Sequence, residues 1–113
     1  MGQGILEFDH DAFTRHAILG SEPTLIDFCA SWCMPSLHAM RVIQRLASEF
    51  AGRVLVAAFD VDRDAHLARR YSVTSFPTMK LFVAGSVVDT FQGEPLHDEV
   101  AVSLNRQLRQ LAC

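Results

Sequence analysis

Lysine is almost missing from this 113-residue chain. Nine of its ten basic residues are arginine and Lys80 is the one lysine, set against thirteen acids for a net charge of −3. The choice of arginine carries no inference, but the net charge does: it gives no basic face for nucleic acid. Long apolar runs are missing too. No window approaches the roughly 18 uninterrupted apolar residues of a membrane span, and the opening MGQGILEFDH has no basic stretch followed by an apolar core, so neither a span nor a signal peptide is expected. A cytoplasmic protein is the simpler expectation.

Cysteine is scarce and odd in number. Cys29, Cys33 and Cys113 stand at unrepeated spacing, which argues against a secreted disulfide framework and against a four-ligand zinc site. At least one thiol must stay reduced or pair with another chain. His10, His16, His66 and His97 show no ligand spacing and are read as surface residues. His38 lies five positions after Cys33, about 140° round a helix, which argues against a Cys–His nucleophilic pair. FDVDRDAH places acids at alternate positions but lacks the glycine and terminal glutamate of a calcium loop, and is read as a strand end, a turn and a helix cap. No metal or cofactor is expected.

What remains is an ordinary globular composition, half hydrophobic and a fifth charged, at a length that suits one domain over residues 1–113. A chain of this size buries about two thirds of its unfolded surface, enough for a core without staples. Ile5 to Phe8 suits a short strand, with Asp9 or Asp11 capping a helix that runs toward Leu19 and stops at GSEP. TLIDFCA, residues 24–30, is a compact apolar run that suits a central strand covered on both faces. From Pro35 to Phe50 the residues Ala39, Ile43, Leu46, Ala47 and Phe50 recur at helical spacing, with Gly52 beyond the end. RVLVAAFDV reads as a second buried strand and Asp64 to Tyr71 as a short helix. TMKLFVAGSVVDTFQ reads as a hairpin turning at Gly85-Ser86. Leu96, Val100, Ala101, Leu104, Leu108 and Leu111 form one stripe of a last helix. The expected order is β-α-β-α-β-α-β-β-α, an α/β mixed sheet with helices on both faces.

Cys33 sits between the buried strand and a helix start. Unpaired backbone N–H groups and the helix dipole there stabilise a thiolate, and Pro35 suits the first helical turn. The alternative for Cys33 is a small buried hydrophobe. Asp27, in the middle of TLIDFCA, must be paired or kept neutral by a raised pKa. Strand alternation puts Leu25, Asp27 and Cys29 on one face, with Ile26 and Phe28 on the other.

Four segments in order carry a resemblance: IDFCASWCMPS at the strand-to-helix junction, FDVDRD after the next strand, SFPTMKLFVAG leading into the hairpin, and Gly93 near its end. On these the chain resembles the thioredoxin family over nearly its whole length. The resemblance implies the thioredoxin fold, a central mixed β-sheet flanked by helices, and thiol–disulfide exchange through Cys33. It implies that Pro77 is cis and faces Cys33, that the backbone of Phe76 pairs with an extended client segment, and that Trp32, Met34 and Pro35 complete the client-binding surface. It also implies that Asp27 lies beneath the active-site helix, where the family's acid assists proton transfer. The partners implied are a disulfide-containing client protein and, as thiol or electron source, glutathione or a thioredoxin reductase.

Departures from the family's pattern are specific. Met34 stands in place of glycine and Ser36 in place of the second cysteine, so no disulfide can close between positions 33 and 36. Leu37 replaces a lysine, Arg41 the helix proline, Ala58 a lysine facing the buried acid, and Cys29 an aromatic. With its usual cysteine gone, Asp27 could serve Cys33 through water, hydrogen-bond Ser36, or remain as an inherited structural acid. Cys29 could resolve Cys33 only if the chain bent sharply, since four extended residues span about 13 Å and a disulfide needs Cα atoms within about 7 Å. The other reading is a buried inert thiol. Cys113, at the terminus, can meet another chain.

Alone, Cys33 can attack a disulfide and form a mixed disulfide, whose release needs an outside thiol such as glutathione, a second client cysteine, or Cys29. A monothiol Cys-x-x-Ser exchanger of protein disulfides is therefore the leading expectation. An engineered Cys-to-Ser trapping variant of a disulfide reductase is the second. A non-enzymatic binding module, using a groove around Trp32, Met34 and Phe76, is the third.

Overall fold

The computed structural model describes residues 5–30 and 37–112. The expectations for Trp32, Cys33, Met34, Pro35, Ser36 and Cys113 fall outside the described residues. Strand β1 (Leu6–Phe8) leads to α1 (His10–Phe13), whose N-terminus is capped by Asp9: its carboxylate accepts from the Ala12 N–H. The helix runs on as a π-helical segment, Thr14–Ile18, closed by the Leu19 N–H donating to Thr14 O. Then follow β2 (Thr24–Cys29), α2 (Leu37–Glu49), β3 (Leu55–Asp60), α3 (Ala65–Arg70), β4 (Thr78–Val83), β5 (Ser86–Gln92) and α4 (His97–Ala112). Asp64 caps α3 through the Leu67 N–H.

The sheet order is β1-β3-β2-β4-β5, with β1, β3 and β2 parallel and β4 antiparallel to both of its neighbours, β2 and β5. The apolar run of β2 thus takes the centre, where both of its faces are covered. Ile26 and Phe28 join Phe59, Phe82 and Phe13 in one core cluster, to which α3 adds Leu67 and Ala68. On the opposite face Leu25 packs with Val56, Met79 and Leu81 under Val42, Ile43 and Leu46 of α2 and Val100 and Leu104 of α4. This is the α/β mixed sheet with helices on both faces.

Two local expectations are corrected. The β4–β5 turn is Ala84-Gly85, not Gly85-Ser86: Val83 pairs with Ser86, and both turn residues have positive φ, +51° and +84°. Positive φ at both central positions is what a two-residue hairpin turn of the right twist requires. Gly85 is also held against the end of the first helix, where a Cβ would lie 2.6 Å from Ile18 O. In α4, Val100 and Leu104 are buried, but Leu96, just before the helix, and Leu111, in its last turn, are exposed.

Candidate functional site

Asp27 is delivered by the central strand into a row that crosses the sheet. Glu7 pairs with Ala58, Ala58 with Asp27, Asp27 with Met79, and Met79 with Phe91. Residues in register share a face of the sheet, so the cross-strand neighbours of Asp27 are a methyl group and a thioether. No cation stands in the row. Oδ1 of Asp27 is buried and has no hydrogen-bond partner among the described residues, and burial raises the carboxyl pKa to about 7. The cause is desolvation, which penalises the charged form and meets no counter-charge among the described residues. Leu25, on the same face, joins the α2–α4 core, as strand alternation required.

β2 ends at Cys29, whose Sγ donates to Phe59 O at 3.5 Å, and whose carbonyl accepts from the Val61 N–H at 2.8 Å. The thiol is half-buried and borders a hollow of about 530 Å³ between the C-terminal ends of β1, β2 and β3, together with Ala58, Asp60, Arg15 and Arg63. Beyond Ala30, residues 31–36 join this sheet edge to Leu37 at the start of α2.

At the same edge, Thr78 opens β4 opposite Phe28. The Phe76–Pro77 peptide before it is cis. Phe76 is half-buried against the Phe13 cluster, and Pro77 is half-buried beside it. The buried hydroxyl of Thr78 donates to Ser75 O at 2.7 Å, and the Gly93 N–H donates to Pro77 O at 3.0 Å. Gly93 has φ +83°, a conformation for which glycine is suited. Sequence reasoning did not name Thr78 as part of this turn. A hydroxyl residue directly after a turn proline was the available signal. The fold therefore brings Cys29, Phe76 and Pro77 to adjoining strand ends, with Asp27 two residues inside the end of β2.

The sequence matches a known family. The thioredoxin family model matches residues 4–106. The chain belongs to the thioredoxin family. A thioredoxin from Acidithiobacillus ferridurans is 32% identical over 108 residues, 96% of this chain and all of that protein. A thioredoxin from Mycolicibacterium smegmatis is 39% identical over 85 residues, 74% of this chain and 76% of its own length. A bifunctional thioredoxin reductase/thioredoxin from Mycobacterium leprae (strain TN) is 35% identical over 88 residues, 78% of this chain and 19% of that protein. Membership in the thioredoxin family implies thiol–disulfide exchange, with disulfide-bearing clients and a thioredoxin reductase as the family's typical partners.

In this thioredoxin-family chain the histidines are not all the surface residues expected. His97 is half-buried, its ring between Glu49 and Asp98, and the exposed His10 pairs with Asp64 at 2.6 Å. Among the described residues, no group of three or more His, Cys, Asp or Glu could hold a metal ion. No described helix is long and apolar enough to cross a membrane.

Proposed function

We propose that the chain, as one domain over residues 1–113, exchanges disulfides with client proteins through Cys33 alone. The Cys33 thiolate attacks one sulfur of the client disulfide, forms the Cys33–client bond, and expels the other client sulfur as a thiolate that takes up a proton. Ser36 offers no second sulfur, so the mixed disulfide persists. A glutathione thiolate then attacks it, forming a new disulfide with one of the two sulfurs and releasing the other as thiolate. No electrons are gained or lost overall: each step forms one S–S bond and breaks another. Trp32, Met34 and Pro35, with Phe76 and the cis Pro77, form the surface on which an extended client segment lies. Glutathione is the proposed resolving thiol, a thioredoxin reductase is the other candidate partner for that step, and the cytoplasm is the proposed location.

The observation that supports this reading is Asp27. A buried carboxyl titrating at about 7, six residues before Cys33 on the central strand, can hold a proton in one step and release it in the next near neutral pH, where a general acid–base group is most effective. Ser36→Cys tests the reading. The substitution should allow a 33–36 disulfide to close and should raise turnover of a protein disulfide such as insulin, with dithiol reductant present, well above that of the unaltered chain. A Ser36→Cys protein that forms no internal disulfide would count against redox chemistry at this site and in favour of partner binding without exchange.

A further inference from the structure

α2 ends at Glu49 and α4 begins at His97, and the two side chains meet across the helix junction. His97 Nε2 lies 2.6 Å from Glu49 Oε1, and Nδ1 lies 3.0 Å from Asp98 Oδ1. The ring is only 16% exposed. A neutral imidazole has one N–H and one lone pair, so it can donate to one carboxylate only and turns the lone pair of its other nitrogen toward the second. Both contacts are hydrogen bonds only when the ring is an imidazolium.

We propose that the α2–α4 junction is a proton-operated clasp: as an imidazolium, His97 fastens Glu49 at the end of α2 to Asp98 in the first turn of α4, and loss of one proton releases one arm.

Every charged group around the ring bears on this. From α2, Glu49 faces the ring and is itself held by Arg45, whose Nε donates to Glu49 Oε2 at 3.1 Å. His38 and Arg41 lie further up the same hollow, a space of about 610 Å³ between the two helices. From the turn after α2, the Arg53 guanidinium is engaged with the Glu49 backbone carbonyl at 2.9 Å. From α4 itself, Asp98 and Glu99 stand in the first turn. A cation at the first residue of a helix opposes the helix dipole, and Arg45 opposes it too. The two carboxylates in contact outweigh both: hydrogen bonding to Asp98, then to Glu49, raises the His97 pKa above its ordinary value. The Glu49 carboxyl is lowered, first by its hydrogen bond to His97.

The sign follows from that direction. A histidine whose folded pKa is raised adds stability that is fully present below its unfolded value of about 6.5, and that is lost as pH rises through the folded value. The clasp therefore holds by two hydrogen bonds in mildly acidic solution and by one on the alkaline side. What the lost bond loosens is the first turn of α4, whose Val100 N–H is bonded to Leu96 O at 3.1 Å.

The test is a pH series of amide exchange at Val100, corrected for intrinsic rates, together with NMR titration of the His97 ring nitrogens. Protection at Val100 should fall about two- to fivefold as His97 loses its proton, the range expected for an ion pair whose carboxylates stand at the surface. His97→Gln should show no such step, and Glu49→Gln should lower the His97 midpoint while leaving the amide spectrum otherwise native. If either substituted protein failed to fold, the ring titration of the unaltered chain would still decide. A midpoint above about 6.5, with both ring nitrogens protonated below it, supports the clasp. A midpoint at or below that value, or a Val100 step that survives in His97→Gln, overturns it.

Discussion

Ala58 on β3 lies directly beside Asp27 on β2, in parallel register, so the buried carboxyl of this protein has a methyl group where a cation would neutralise it. The carboxyl is therefore held largely protonated below neutrality by desolvation alone, and two of the predictions below follow from that pairing.

Ionising Asp27 should cost stability. Its pKa is 3.8 in a model peptide and about 7 in the fold, so between those values the native state binds the proton that the unfolded chain has lost. Stability must then fall as pH rises through this window, because the unfolded state binds fewer protons. Asp27→Asn removes the titration. It should match the unaltered protein near pH 4 and exceed it by a few kcal/mol near pH 8, on the scale of about 1.4 kcal/mol per pKa unit. Urea denaturation at the two pH values checks this. Parallel stability curves for the two proteins would mean that Asp27 finds a partner that holds it ionised.

Restoring a cation should reverse the shift. Ala58→Lys places an ammonium on the same face as Asp27, with the hollow of about 530 Å³ beside Ala58 to take the longer side chain. An opposite charge within reach lowers a carboxyl pKa by about 1–3 units. Carbon-detected NMR titration of the Asp27 carboxyl should show its midpoint fall from about 7 by that amount. An unchanged midpoint would place the new ammonium out in solvent.

Two glycines with the same backbone conformation should respond differently to alanine. Gly52 has φ +82° and nothing within 4 Å of an added Cβ, whereas Gly85 has φ +84° and the Ile18 carbonyl 2.6 Å away. Gly52→Ala should cost about 1 kcal/mol for the left-handed backbone alone. Gly85→Ala adds a clash with backbone and should cost about 3 kcal/mol, the upper end for local strain. Equal losses in thermal denaturation would show that the hairpin turn gives way at no expense.

Much of this fold could be read from local pattern. TLIDFCA belongs at the centre because an apolar run needs cover on both faces, and Asp9 and Asp64 cap helices because each carboxylate reaches an N–H three residues on. The misreadings have physical causes. Gly85-Ser86 looked like the hairpin turn because glycine marks such turns, but a turn needing two positive φ values drew in Ala84 as well. Leu96 and Leu111 keep the helical period yet stand exposed, one just before α4 and one in its last turn. His97 was invisible as a paired residue because its partner Glu49 lies 48 positions away, and no periodicity encodes that distance. For the site, the acid and the proline were legible from motif. That Asp27 stands between Ala58 and Met79 needed the register. The roles given to Trp32, Cys33, Met34, Pro35 and Ser36 stand on sequence alone.

The most direct measurement is the intact mass of the reduced protein after a brief incubation with a peptide disulfide. Exchange through Cys33 alone predicts one added peptide thiol, mapped to Cys33 by digestion, that persists in the absence of small thiols and is removed by glutathione. Loss of two hydrogens instead, signalling an internal disulfide with Cys29 or Cys113, or no adduct at Cys33 at all, would contradict it.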